Sequence, residues 1–225
     1  MKKVVLVTCT LSKTEKEFEQ RPIFKSIEKL SLLYDHKLFD FVIVKENRKG
    51  LSEVYNNFVN DQKYLEDILL FVHDDVEIKD TFLVETLNNS PYVVTGLAGS
   101  KTADLNSPMP AWHLMGDRQH FVGEVMHIKD NNIWTTIFGQ TQSRALLIDG
   151  VFVSIKVDQI INSGARFNET FKFHHYDLSF CLECNKNKIT VGVMPVSVIH
   201  HGLGDSMNSE EWHQSAIEFK KQYKP

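Results

Sequence analysis

Ile68-Leu69-Leu70-Phe71-Val72-His73-Asp74-Asp75 is the stretch whose reading decides the fold. Five consecutive apolar residues that stop abruptly at polar ones read as a strand buried on both faces. Such strands belong to parallel sheets covered by helices. The chain before it repeats the theme. Residues 4–8 read as a buried strand and 39–44 as another, rich in aromatic and β-branched residues. Pro22 opens a helix whose apolar face is Ile23, Ile27, Leu30 and Tyr34. Leu51, Val54, Tyr55, Phe58 and Val59 recur at i, i+3, i+4, i+7 and i+8, the strongest helix signal in the chain. A short helix over 82–87 and a strand over 92–97 follow. Strands alternating with helices predict an α/β fold built on a Rossmann-like, doubly wound, mostly parallel sheet.

The second half reads differently. Residues 98–120 carry glycine, proline and serine without sustained period, and read as a long loop facing substrate. Strands are expected over 121–128, 133–138 and 145–154, a small additional antiparallel portion. A helix over 177–185, a strand over 189–194 and an amphipathic helix over 210–223 complete the chain. No repeat or low-complexity linker divides it, so residues 1–225 read as one domain.

Composition narrows the function. With 42% hydrophobic and 24% charged residues, the chain is an ordinary globular protein. A net charge of −4 argues against nucleic acid as a partner, because that association needs a basic surface to release counterions. The apolar run after Met1-Lys2-Lys3 is too short for a signal core, and no segment approaches a membrane span. Three cysteines form no disulfide framework, so the expected location is a reducing cytoplasm, with peripheral membrane attachment left open. Cys181 and Cys184 have C-x-x-C spacing, but no second pair completes a zinc site, and they read as buried helix residues.

Ligands of open parallel sheets bind beyond the carboxyl ends of the strands. Three such ends carry polar groups here: Thr8-Cys9-Thr10, Lys45-Glu46-Asn47 and His73-Asp74-Asp75. Two carboxylates at a rigid strand edge suit magnesium or manganese bridging a diphosphate, or else form a solvated acidic turn. Near the C-terminus, His174-His175-Tyr176-Asp177 precedes a helix and His200-His201-Gly202 follows a strand. Two imidazole pairs at successive element ends point to a shared site. Residues 96–102 resemble a phosphate-binding loop but lack the glycine before Lys101, and neither G-x-G-x-x-G nor G-x-S-x-G occurs where it would matter.

Taken in order, these pieces resemble the glycosyltransferase family 2 superfamily, and within it the short bacterial and phage-type glycosyltransferase-like domains. Gly50-Leu51-Ser52-Glu53-Val54-Tyr55-Asn56 is similar to a "G-L-S-x-A-Y-N" helix start. Leu69 to Val76 is similar to the "L-x-F-x-H-x-D-V" form of the DxD motif. Ile148-Asp149-Gly150-Val151-Phe152 resembles a "D-G-V-F" strand, His175 to Leu182 resembles "x-Y-D-x-D-F-C-L", and Val191 to Gly202 a strand ending in "V-x-H-x-G". The resemblance implies a GT-A fold, a nucleoside-diphosphate sugar donor, a glycan, lipid-linked or protein acceptor, and Mn2+ or Mg2+. It makes Asp75 a metal ligand, with His200 a second ligand or a phosphate contact. Thr8, Glu46, Asn47, Asn56, His73 and Asp74 would line the nucleotide-sugar pocket. Asp149 and Trp112, in the 98–120 segment, would face the acceptor. Two positions depart from the pattern. His73 stands where the first DxD carboxylate would be, and His174-His175 replaces an acidic pair, leaving Asp177 as the carboxylate.

The expected reaction is an inverting single displacement with Asp177, or else His175, as the base. At its helix start Asp177 is expected to be ionised. Two other classes stay open: a degenerate, non-catalytic nucleotide-sugar-binding module, and a histidine-rich metallohydrolase, which would need three or more converging ligands.

Overall fold

The structure, a computed structural model, describes residues 1–202 and 205–224. In chain order its strands are β1 (Val4–Cys9), β2 (Phe39–Val44), β3 (Ile68–Val72), β4 (Val76–Ile78), β5 (Val94–Gly96), β6 (Ala98–Ser100) and β7 (Phe121–Lys129). There follow β8 (Asn132–Ile137), β9 (Ser143–Arg144), β10 (Leu147–Ile148), β11 (Phe152–Lys156), β12 (Val191–Val193) and β13 (Val198–His200). The helices are α1 (Glu15–Phe18), α2 (Pro22–Leu33), α3 (Leu51–Asn60), α4 (Leu83–Asn88), α5 (Trp112–Met115), α6 (Val157–Ile160), α7 (Tyr176–Lys186) and α8 (Glu210–Tyr223).

The larger sheet runs β2-β1-β3-β11-β5-β12-β9. β1 pairs in parallel with both β2 and β3, as the first half of the chain predicts. β11 then enters antiparallel between β3 and β5, so the sheet is mixed rather than continuously parallel. β3 lies inside the sheet with a strand on each side, and is buried along its whole length. It ends at the first residue whose polar side chain needs partners, His73. The second sheet runs β10-β6-β7-β13-β4, with β8 pairing residues 124–129 of β7 beyond the stretch that β6 covers. It is larger than the small antiparallel portion expected.

α2 and α3 cover the first sheet. α2 starts at Pro22, where a missing N–H costs nothing, and buries Ile23, Ile27 and Leu30. α3 buries Leu51, Val54, Tyr55 and Val59, and Tyr55 stacks on Phe71 of β3 at 4.1 Å. Ser209 caps α8 by accepting from the Trp212 N–H, and Trp212 and Phe219 dock that helix on the body.

Two readings of the second half are corrected. Residues 98–120 are not one loop: they contain β6, α5 and a 3-10 turn at Arg118–His120. Residues 145–154 are not one strand but β10 and β11, broken at Asp149-Gly150. There the Asp149 carboxylate accepts from the Val151 N–H at 3.0 Å, a local bond that competes with the ladder. Gly150 is required because a Cβ would lie 2.5 Å from the Tyr176 hydroxyl.

Candidate active site

The carboxyl ends of β1, β2 and β3 open into a cleft of about 600 Å3. Thr10, Asn47, His73, Asp74 and Asp75 line it, with Arg21, Arg48, Lys49 and Lys172 adding positive charge and Leu11 and Phe173 an apolar wall. Four cationic side chains around one cleft suit a polyanionic ligand, and the N-terminus of α3 at Gly50 and Leu51 adds its partial positive charge.

Each carboxylate of the β3 end has a distinct environment. Asp74 takes an Arg21 guanidinium N–H at 2.6 Å, and its carbonyl accepts from the Ile23 N–H, tying the β3 turn to the start of α2. Asp75 lies behind it. One of its oxygens faces His200 Nε2 at 3.4 Å, while Oδ1 is buried with no hydrogen-bond partner among the described residues. His200 holds the Asp75 carboxyl below its usual range against the opposing effect of burial. Desolvation lowers the His200 pKa, but Asp75 and Asp149 together push it above the ordinary histidine value. Gly202 closes this pair: a Cβ there would meet His200 Nε2 at 2.5 Å and Asp75 Oδ2 at 2.8 Å.

His73 joins this cluster to a second one. The Tyr176 hydroxyl donates its only proton to the Gly150 carbonyl at 2.7 Å, so the 2.8 Å contact with His73 makes His73 Nε2–H the donor. Burial lowers the His73 pKa, which favours the neutral ring. Beyond Tyr176 lie Asp177, Asp149 and Trp112. Asp177 accepts from the Gly150 N–H at 3.0 Å, and Asp149 accepts from Trp112 Nε1–H at 2.9 Å. Desolvation and the neighbouring Asp149 charge push the Asp177 carboxyl up to about 7. The backbone N–H groups of the helix start pull the other way, as expected, and are outweighed. The ionised aspartate expected from the helix dipole is therefore corrected to one that titrates near neutrality.

The structure thus brings together Asn47, His73, Asp74, Asp75 and His200, and beside them Asp149, Asp177 and Trp112. It separates four others. Thr8 is wholly buried inside β1, and Thr10, two residues on, reaches the cleft instead. Glu46 adopts φ +49° on an exposed turn outside the cleft lining. Asn56 spends its amide on the Phe167 backbone N–H and C=O and on Glu169, pinning the 167–169 segment to α3. His175, at φ +62°, points away from Asp177 onto α8, 4.8 Å from Trp212. Its Nδ1–H donates to Ser215 Oγ, whose own proton goes to the His174 carbonyl, and burial pushes its pKa down to about 4. Cys181 and Cys184 are buried in α7, with the Cys181 thiol pushed up to about 12.

Arg21 is a site residue that sequence reasoning missed. It crosses 53 positions to reach Asp74, and its only local sign is its place before Pro22 at a helix start.

The order of these pieces along the chain agrees with a known family over residues 6–224. The chain belongs to the glycosyltransferase-like family. Membership makes it a transferase, and its mixed α/β architecture is that of a Rossmann-like GT-A domain. No curated protein matches the chain. Solved structures similar to this transferase include A197 from STIV, at 14% identity over 86% of this chain and 82% of that one, with a TM-score of 0.47. Another is the inositol-1-phosphate CTP transferase from T. maritima, at 12% identity over 98% and 97% of the two chains, with a TM-score of 0.44. Among the described residues, no helix is long and apolar enough to cross a membrane.

Proposed function

We propose that this glycosyltransferase-like chain moves a sugar from a nucleoside-diphosphate sugar to an acceptor hydroxyl with inversion, in a Mn2+- or Mg2+-dependent reaction in the cytoplasm. The observation that carries the proposal is the buried Asp75 Oδ1, without a hydrogen-bond partner among the described residues, in a cleft lined by Arg21, Arg48, Lys49 and Lys172. A buried carboxylate oxygen without a partner is costly, and a hard cation relieves that cost. Among the described residues no group of three ligands converges. Asp75 and His200 are the pair that fits the metal, and magnesium sites of this kind take their remaining ligands from substrate phosphate and water. When bound, the ion would supply positive charge to the leaving diphosphate.

The chain's own groups account for the rest. The cationic rim holds the diphosphate, and Phe173 and Leu11 offer an apolar surface to the nucleoside or sugar. Asp177 takes the proton of the acceptor hydroxyl. That oxygen forms a bond to the anomeric carbon as the carbon–oxygen bond to the diphosphate breaks, and the electron pair leaves with the nucleoside diphosphate. Trp112 holds Asp149 beside this base, where its charge keeps the Asp177 pKa near neutrality.

Calorimetric titration of UDP, GDP, CDP, ADP and dTDP with and without Mn2+ tests the reading. At least one should bind more tightly with the ion, and Asp75→Asn should remove that dependence without loss of fold. Equal, metal-independent binding by parent and Asp75→Asn would refute the ligand assignment. A donor that is bound but left intact with every acceptor would make the chain a binding module instead.

A further inference from the structure

A row of side chains crosses the second sheet in register. Trp134 on β8 pairs directly with His127 on β7, and His127 pairs with His200 on β13. Directly paired residues present their side chains to the same face. The Trp134 indole stacks on the His127 imidazole at 5.6 Å with the planes 27° apart. His127 lies 6.1 Å from His200, which is 3.4 Å from Asp75. The row therefore starts at the Asp75–His200 pair and ends two strands away, roughly 10 Å by ordinary strand spacing, on the edge strand.

Its last member is unusual in this chain. Trp112 and Trp212 are 6% and 5% exposed, whereas Trp134 is 47% exposed. An indole stacked on an imidazole and about half exposed, in register with the candidate site, is a platform for a ligand.

We propose that Trp134 and His127 form an acceptor subsite that holds a pyranose ring, so that the acceptor is a carbohydrate. This deepens the transferase reading and rests on it. The aromatic face carries negative partial charge and the C–H edges of a sugar ring carry positive, so the two stack favourably. Sugar hydroxyls also need donors and acceptors at the rim of such a stack. The His127 imidazole, with two ring nitrogens, supplies a polar partner there.

Two other occupants fit less well. The exposed apolar residues of the same strand, Ile133 and Ile137, alternate with Trp134 and face the opposite side of the hairpin. A membrane-inserting hairpin would present indole and isoleucines together. The donor nucleoside has its own apolar wall at Leu11 and Phe173, in the cleft on the far side of Asp75.

The test uses the full chain with Mn2+ and a panel of UDP-, GDP- and dTDP-hexoses. Acceptors are mono- to tetrasaccharide methyl glycosides of glucose, galactose, N-acetylglucosamine, mannose and rhamnose, phosphatidylglycerol vesicles, and a Ser/Thr peptide library. Donor hydrolysis by water is followed in parallel. Transfer to a glycoside is expected. Trp134→Ala should raise the KM for that glycoside at least about tenfold, the worth of one good ring contact, with kcat and donor hydrolysis little changed. Trp134→Phe should restore most of the affinity and Trp134→Leu should not. An unchanged KM in Trp134→Ala, equal recovery by Leu and Phe, or transfer only to vesicles or peptides would overturn the subsite. If the parent neither binds nor hydrolyses any donor, the transferase reading falls with it. An active donor site with an indifferent Trp134 sinks the subsite alone.

Discussion

Replacing Asp177 by asparagine should make the protein more stable and inactive at once. The carboxyl is pushed from 3.8 up to about 7 because burial and the Asp149 charge penalise ionisation. One pKa unit corresponds to about 1.36 kcal/mol, so holding the charge above neutral pH costs up to about 4 kcal/mol. Asp177 is partly open to water and coupled to Asp149, so about 2 kcal/mol is the working figure. The sign follows from proton binding. Between roughly pH 4 and 7 the folded chain keeps a proton that the unfolded chain has lost, so this group lowers stability as pH rises through that window. The asparagine variant has no such proton and keeps an acceptor for the Gly150 N–H. For a chain of this length about 2 kcal/mol is about 4–8 °C, so the variant should melt that much above the parent at pH 8, with the gap closing near pH 4. Scanning calorimetry from pH 4 to 8.5 measures it. In the same variant kcat should fall at least roughly 10²-fold with donor affinity retained, as loss of a general base requires. A variant no more stable than the parent at pH 8 would show that Asp177 is not held against a burial cost, and an active variant would show that it is not the base.

The base must be deprotonated to act, so parental kcat should rise with pH to a plateau above about 7. Asp149→Asn removes the neighbouring charge and should move that rise to lower pH; a profile that stays in place would exclude Asp149 as its cause. Gly202→Ala forces a Cβ into His200 and Asp75, and should weaken Mn2+-dependent nucleoside diphosphate binding while the melting transition is kept. Calorimetric titration giving the parental affinity would show that the pair tolerates displacement.

Strand and helix positions were legible wherever one element carried its own period. β2 and α8 begin and end where the pattern of apolar residues places them, and β3 stands out as an unbroken apolar run. The carboxylates at the end of β3 were legible for the same reason: a strand buried on both faces must stop at its first polar residues. Single-residue assignments fared less well. In a strand, neighbouring residues face opposite sides, so Thr8 and Thr10 could not be told apart without knowing which side is buried. Asn56 lies in a recognisable helix start, but its amide is claimed by backbone at 167, more than a hundred residues away.

Local pattern determined the α/β character, the order of elements and the acidic strand end, because period and strand termination depend only on neighbours in the chain. The tertiary structure alone decided the chemistry. It turned His175 away from Asp177 through one left-handed residue, and brought Arg21 to Asp74. It also set Asp149 beside Asp177, moving a carboxyl that its own helix start would keep ionised up to about 7. Charge and desolvation act through space, and the distances that govern them are fixed only when distant segments pack.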